Sequence, residues 1–462
     1  MEREQTSHID VLIVGAGLGG LYAAIECYRQ GHSPLIVESK SEIDQLGDFV
    51  GIGPSVTKQF QKWPGMAKTY SSIIYRPAMT LFTYDGIFVG GPFELSEESH
   101  YRPVPVSRPK LIRALYDYAT SLGIPIKLGK RVVDYVESDV KNRAYAMTDS
   151  GERFEADIIV AADGIGSKAW KVTIGNEVKA ISSGWSVYRV TYPTTILHKD
   201  PFLAQQYPLK DGDCDYCQVY ISPKGQMIIL VSPELTTWLF THEDKGQAEE
   251  TWSTRLNASD ALKSLEQTGL EWNEKVLAVV KQTPPNTVID YKITWRDPDP
   301  IWTSPGGRIV KIGDAAHSFI PNSSNGATQA MEDGLSLAAS LRLAGKSNIA
   351  LATRMHTKLR FERTSCAQKN GFKNREKWER DFEDVKKNPY AAAQSIGRWL
   401  SDHDPEQYVY DNWQACLNHI TSGAPFKNTN LPPGYSYEPW TMEGLMKMSQ
   451  NGQLAADPGE WD

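Results

Sequence analysis

Six residues near the start of the chain, Gly15-Ala16-Gly17-Leu18-Gly19-Gly20, have the spacing GxGxxG. Such a run can seat a pyrophosphate: Gly15 allows a tight turn, Gly17 lets the main chain approach the phosphates, and Gly20 lets a helix pack closely on the strand before it. About 20 residues further on stands Glu38, where a carboxylate can accept the hydroxyl protons of a ribose. Two more turns carry chemistry. Asp163-Gly164 closes one apolar run, and Gly313-Asp314-Ala315-Ala316-His317 closes another and leads into a helix that begins near Asn325 and Gly326. The unsatisfied N–H groups and positive dipole end of that helix suit negative charge, such as the pyrimidine side of a reduced flavin, and Asp314 can accept from ribityl hydroxyls. His317 reads as a structural hydrogen-bonding residue.

These turns need elements to hold them. Ile9 to Val14 is an apolar strand, Leu18 to Gln30 has helical spacing, Gly31 is its stop, and Pro34 to Val37 is a second strand, which together make a βαβ unit. Pro109 suits a first helical turn, and Leu111, Ile112, Leu115, Ala119 and Leu122 share one side of the helix that Gly123 ends. Buried strands are expected at Asp157 to Ala162 and Arg308 to Ile312. Met79 to Val89 reads as a hairpin about Tyr84-Asp85-Gly86, and Gln218 to Val231 as another about Pro223-Lys224-Gly225. The fold class is therefore α/β. A Rossmann-like nucleotide-binding domain with a parallel sheet is expected over 1–70, 102–177 and 285–345, interleaved with an antiparallel-sheet domain over 71–101 and 178–284. A C-terminal helical region and tail occupy 346–462, and the polar, Gly- and Pro-containing stretch after Pro432 reads as mobile.

Composition narrows the function. Of 462 residues, 49 are Lys or Arg and 56 are Asp or Glu, a formal charge of −7 with no basic tract, which argues against nucleic acid as a partner. No apolar run approaches the roughly 20 residues of a membrane-spanning helix. The N-terminal stretch is polar with no separate hydrophobic segment, so a cytoplasmic protein is expected. Five cysteines, an odd number scattered over the chain, fit a reducing compartment. Cys214 and Cys217 form a lone CxxC with no second pair at zinc spacing, so no metal site is expected and both read as strand residues.

In this order the three motifs resemble the aromatic-hydroxylase class, group A, of FAD-dependent monooxygenases, related to salicylate and para-hydroxybenzoate hydroxylases; the resemblance covers roughly residues 9 to 345. It implies that Gly15, Gly17, Gly20 and Glu38 hold the ADP half of FAD and that Asp163 sits at the pyrophosphate and nicotinamide approach. It also gives Asp314 the ribityl chain, and makes Arg108 in Arg108-Pro109-Lys110-Leu111 the family's RxxL arginine. Asn325 and Gly326 would meet the flavin. The chain departs from the pattern twice. Where the family has Pro-x-x-Gly-Gln-Gly it has Pro321-Asn322-Ser323-Ser324-Asn325-Gly326, and where the DGxxSxxR form has arginine it has Trp170.

Gly47-Asp48-Phe49-Val50-Gly51-Ile52-Gly53 and Ser183-Gly184-Trp185-Ser186-Val187-Tyr188-Arg189 are similar to the fungal monooxygenases of prenylated indole alkaloid pathways, the paraherquamide and citrinadin type. Trp399-Leu400-Ser401-Asp402-His403-Asp404 and Asn430-Leu431-Pro432 add to that likeness. This resemblance implies Asp48 and Arg189 as catalytic residues in the epoxidation of an indole by a C4a-hydroperoxyflavin, with NADPH or NADH and O2 as co-substrates. Read from residue type alone, Asp48 could equally be a loop carboxylate and Arg189 a sheet-surface cation. Tyr188, Tyr216 and Tyr220 could line an aromatic-substrate pocket or pack in the core. A phenol hydroxylase and a non-catalytic flavin-binding partner protein remain as alternatives.

Overall fold

The computed structural model describes residues 1–462 apart from 44–46, 95–102, 139–141, 177–179, 210–214, 245, 247, 250–253, 381–386, 388–396, 454–456 and 462. Its first layer begins with β1 (Asp10–Val14), a continuous apolar run buried from Val11 to Val14, as a parallel strand covered on both faces must be. Helix α1 (Leu18–Arg29) returns the chain to β2 (Ser33–Val37), and β7 (Ile126–Lys127), β11 (Ile158–Ala161) and β18 (Ile309–Lys311) complete a parallel sheet of order β18-β11-β1-β2-β7. The order reverses at β1, between β11 and β2. Ligands of open parallel sheets lie at the carboxyl ends of strands beside such a switch point, and Gly15, Glu38, Asp163 and Gly313 follow the carboxyl ends of β1, β2, β11 and β18.

Helices α1, α2 (Arg108–Ser121) and the long α6 (Gly326–Ala344) pack on one face of this sheet. Helices α1 and α6 cross closely because Gly334 has no side chain: a Cβ there would stand 2.8 Å from the Cα of Ala23. A three-stranded meander, β8 (Val132–Ser138), β9 (Arg143–Thr148) and β10 (Arg153–Ala156), covers the other face.

The second layer is an eight-stranded sheet of order β16-β17-β12-β15-β14-β13-β4-β5. Its strands are β4 (Pro77–Thr83), β5 (Phe88–Glu94), β12 (Ile181–Pro193), β13 (Asp215–Ser222), β14 (Gly225–Val231), β15 (Leu235–Glu243), β16 (Arg255–Leu256) and β17 (Val288–Trp295). Among its described strands, β13 and β4 pair in parallel and the other neighbours are antiparallel. Both hairpins expected from the sequence form, β4–β5 and β13–β14. Helices α4 (Ala258–Gln267) and α5 (Glu274–Lys281) close one face of the sheet over a core that includes Tyr188, Tyr220 and Trp238. Cys214 lies outside the described residues; Cys217, on β13, is a buried free thiol.

A ribbon of β3 (Phe49–Ile52) and β6 (Val104–Ser107) joins the layers, and the Arg108 N–H donates to the Asp48 carbonyl at 3.0 Å where it closes. The C-terminal region adds α7 (Ile349–Arg380), α8 (Pro405–Ser422) and α9 (Met442–Gln450). The expected mobile tail is corrected here. Tyr435, Met442, Leu445 and Trp461 are buried, and Met442 and Leu445 pack with Trp295 of the sheet. Single apolar residues among polar ones dock this stretch where its composition alone suggests a loose end. No helix among the described residues is long and apolar enough to cross a membrane.

Candidate functional site

The first glycine loop is built as its spacing demands, with a different reason at each glycine. Gly15 has φ +108, and a Cβ there would stand 2.4 Å from the Ala162 carbonyl oxygen; a Cβ on Gly20 would meet the Gly15 carbonyl oxygen at 2.0 Å. Gly17 caps α1 in extended conformation, and nothing lies within 4 Å of where its Cβ would be. The first and third glycines are thus required by the fold, while the second leaves open space at a helix N-terminus, the shape a diphosphate takes. Glu38 reaches back to this loop: its Oε2 accepts from Ala16 N–H at 2.7 Å and its Oε1 from Lys40 N–H at 2.8 Å.

Asp163 is held from beside by Tyr135, whose hydroxyl donates to Oδ2 at 2.6 Å, and Ser167 and the Lys168 main chain also bear on its carboxyl. Burial pushes this carboxyl up from its ordinary pKa. Asp314 stands exposed on the turn after β18. That turn is fixed by Asp333, a buried residue of α6 whose Oδ2 takes both the Gly313 N–H at 2.9 Å and His317 Nε2 at 2.6 Å. His317 is therefore a structural partner of Asp333. Asn325 caps α6, accepting from Gln329 Nε2 at 2.9 Å, and Ser324 before it is left-handed, φ 48 and ψ 23.

Behind the turn lies a buried ion cluster. Arg360 and Arg363 of α7 bind Glu332 and Asp333 of α6, with Arg360 Nε to Asp333 at 2.9 Å and Arg363 Nε to Glu332 at 2.8 Å. Burial alone would push both carboxyls up. The partners outweigh it, Arg363 and Arg360 at Glu332 and the contacts with His317 and Arg360 at Asp333, and hold both well below the usual carboxylate range.

Asp48 and Arg189 converge between the two layers. Arg189 Nε donates to Asp48 Oδ2 at 2.6 Å, its terminal nitrogen reaches the same oxygen, and Asp48 Oδ1 is buried without a partner. The pair walls a cavity of about 890 Å³ that runs between β12, β15 and α2 and is also lined by Ile73, Lys110, Arg113 and Ile289.

Residues 8–358 match a family described as an FAD binding domain. The FAD-dependent monooxygenase fsr3 of Gibberella fujikuroi is 35% identical, over 99% of this chain and 90% of its own length. The FAD-dependent monooxygenase dmxR9 of a Cryptosporiopsis species is 33% identical, over 100% of this chain and 91% of its own. The chain belongs to the FAD-dependent monooxygenases. Among solved structures, native FqzB matches it with a TM-score of 0.82 and 30% identity, over 94% of this chain and 99% of that one. CtdE in complex with FAD and substrate 4 matches with a TM-score of 0.80 and 26% identity, over 90% of this chain and 100% of that one.

The monooxygenase's residues fit FAD on the geometry alone. The open Gly17 turn has room for a diphosphate, Glu38 is a carboxylate bound back to that loop at the end of β2, and Asp163 is a buried carboxyl beside the Gly15 turn. Arg108 opens α2 with its side chain beside Gly47, Asp314 is exposed on the turn after β18, and α6 starts at Asn325 and Gly326.

The tyrosines are a correction to the sequence reading. Arg189 shares its sheet face with Leu239, Ile228, Val219 and Leu81 across the strands, whereas Tyr188 pairs with Phe240 and, through Met227, with Tyr220. Alternation therefore turns Tyr188, Tyr220 and Tyr216 to the face that α4 and α5 cover, away from Arg189. Tyr188 and Tyr220 are core residues and Tyr216 packs half-buried against them: Tyr188 OH lies 3.0 Å from Ser264 Oγ, Tyr220 OH donates to Gln218, and Tyr216 OH donates to the Pro208 carbonyl. Apolar residues that share the Arg189 face and remain half-buried include Met79, Trp185, Ile228, Leu239 and Tyr291. Sequence reading also passed over Tyr135 and Asp333. An acidic pair, Glu332-Asp333, inside an otherwise small and apolar helix was the available signal for the latter.

Proposed function

We propose that this monooxygenase uses NAD(P)H and O2 to oxygenate an electron-rich aromatic, and that the aromatic is the indole of an alkaloid, epoxidised in secondary metabolism. The observation that carries the reading is the Asp48–Arg189 pair, set where the β3–β6 ribbon meets the eight-stranded sheet, with one buried carboxylate oxygen unengaged. When bound, FAD supplies the redox chemistry, taking a hydride from the nicotinamide nucleotide and passing one oxygen atom of O2 to the substrate.

The chain's own residues supply orientation and charge. Met79, Ile228, Leu239, Trp185 and Tyr291 give an aromatic ring an apolar surface that excludes water. Arg189 stays cationic and stabilises negative charge as it develops during oxygen transfer. Asp48 fixes the guanidinium through Oδ2 and holds or moves a proton at Oδ1, the proton an opening epoxide needs. The likeness to CtdE, solved with FAD and a substrate, supports this placement. Four described cysteines buried as free thiols support work in a reducing cytoplasm.

The test is NADPH and NADH oxidation by the FAD-loaded enzyme against a panel of indole alkaloids and phenols, with product mass and peroxide measured together. Coupled addition of one oxygen atom to an indole is expected. Coupling with phenols alone would move the substrate class to a phenol hydroxylase, in which Arg189 faces a phenolate.

A further inference from the structure

Lys311 is the last residue of β18, two positions before Gly313, and its side chain is fully buried. Its Nζ has no hydrogen-bond partner, and no carboxylate among the described residues lies in ion-pair range of it. It stands instead 3.2 Å from the ring centroid of Trp170. Ile309, which shares its side of the strand, packs into an apolar core with Ala161 and Ala169. Burial brings the ammonium down to a pKa of about 7, with Asp299 pulling the other way. A desolvated ammonium without a carboxylate is costly, and a contact with an aromatic face returns only part of that cost. A leucine would serve this core better, so packing does not account for the lysine.

Its position does. Lys311 registers with Ala161 at the end of β11, and Asp163-Gly164 is the turn that follows. Trp170 opens the helix α3 (Trp170–Ile174) just beyond that turn. The contact therefore ties the segment leaving Asp163 to the strand that delivers Gly313 and Asp314. In the extended Asp-Gly motif position 170 carries an arginine; here the ring stands there and a cation arrives from the neighbouring strand.

We propose that Lys311 is a cofactor-positioning residue: its ammonium, held on the face of Trp170, locks the Asp163 turn to the Gly313-Asp314 turn and takes over the place of the motif's arginine. This rests on the reading that those two turns hold FAD. No step of the reaction passes through Lys311, and its effect is on how tightly and in what pose the cofactor is held.

The test titrates FAD into apoprotein by flavin fluorescence and records thermal unfolding of the same apoprotein. Lys311→Leu is expected to raise the unfolding temperature, because an unpaired buried charge is removed, and yet to weaken FAD by about tenfold, the equivalent of about 1.4 kcal/mol. Trp170→Arg alone sets two cations against each other and should lose both stability and FAD. The double variant Lys311→Leu/Trp170→Arg should regain FAD affinity to within about threefold of the natural chain. Should Trp170→Arg fail to fold, Lys311→Arg against Lys311→Met decides the matter: the arginine keeps FAD affinity and the methionine loses it. A Lys311→Leu protein that is more stable and binds FAD unchanged overturns the proposal, as do losses that merely add in the double variant. Normal FAD binding by Asp163→Ala and Asp314→Ala variants that keep Lys311 and Trp170 would instead overturn the reading of the two turns.

Discussion

Asp48 and Arg189, 141 positions apart in the chain, meet through a single carboxylate oxygen: Oδ2 takes both guanidinium contacts, while Oδ1 is buried and unmatched. A guanidinium usually engages both oxygens of a carboxylate in a fork. Engaging only one keeps the second available to a substrate or a proton, at the cost of burying an unsatisfied acceptor.

That arrangement sets the first expectation. Asp48→Asn and Arg189→Gln should each retain FAD and cut product formation by about 10²-fold or more, the usual size of one proton-transfer or oxyanion contribution. Arg189→Lys should not rescue, since an ammonium cannot reproduce the paired contact. Turnover and flavin occupancy are read together. Near-normal product from both variants would remove the pair from catalysis, and product lost together with FAD would make them cofactor-binding residues.

The three motif glycines separate fold from ligand. Gly15→Ala and Gly20→Ala drive a Cβ to within 2.4 Å and 2.0 Å of carbonyl oxygens, and should cost more than about 2 kcal/mol of stability as well as FAD. Gly17→Ala meets nothing within 4 Å, so its urea midpoint should stay close to that of the natural chain while its FAD affinity falls. Equal destabilisation by all three would show that the space at Gly17 is not kept for the diphosphate.

Which of these features could be read in the sequence follows from how local each one is. The glycine loop was legible because its spacing, the strand before it and the helix after it are adjacent in sequence; that Ala162 is the group Gly15 must clear was not. Asp48 and Arg189 came from resemblance, because no local pattern brings together residues in different layers. The tyrosines were partly legible: Tyr188 adjoins Arg189 in a strand, and period-two alternation turns one away from the other. Placing Tyr220 needed the register of β13 to β14 and β15, which the sequence does not display. Lys311 was out of reach altogether. Its meaning comes from Trp170, over a hundred residues earlier, standing against it.

Buried histidines predict a particular acid sensitivity. Burial holds His32 at about 4 and His356 at about 3, and His403 falls well below its ordinary value for the same reason. Each folded pKa lies below the unfolded one of roughly 6.5, so the unfolded chain takes up protons first. The stabilisation is complete above about pH 6.5 and is lost as pH falls towards the folded values, by about 2 kcal/mol per histidine at pH 5. Glu332 and Asp333, also depressed, add their own loss only below about pH 4. Urea unfolding at pH 7, 6 and 5 should show the decline, and His356→Gln should flatten part of it. Stability unchanged between pH 7 and 5 would mean that these histidines become protonated without opening the fold.

Ser324 gives the last expectation, at the point where the chain departs from the family pattern. It adopts φ 48 and ψ 23, and its carbonyl oxygen lies 3.4 Å from where a Cβ on Gly51 would stand. The turn is therefore pressed between β3 and the start of α6; the Asn325 N–H turns back to Ser323 Oγ at 3.3 Å, and the left-handed residue sets the direction in which the first turn of α6 starts. A non-glycine residue there costs about 1 kcal/mol. Ser324→Gly relieves that strain but gives up the serine's own contact and enlarges the unfolded ensemble, so stability should move by less than about 1 kcal/mol and FAD affinity should hold. Ser324→Val places a β-branched side chain in a conformation it resists, and should cost about 2 kcal/mol or more and weaken FAD by about tenfold as the helix start swings away. Equal FAD affinity in the glycine and valine variants would show that the helix start is presented without help from this turn.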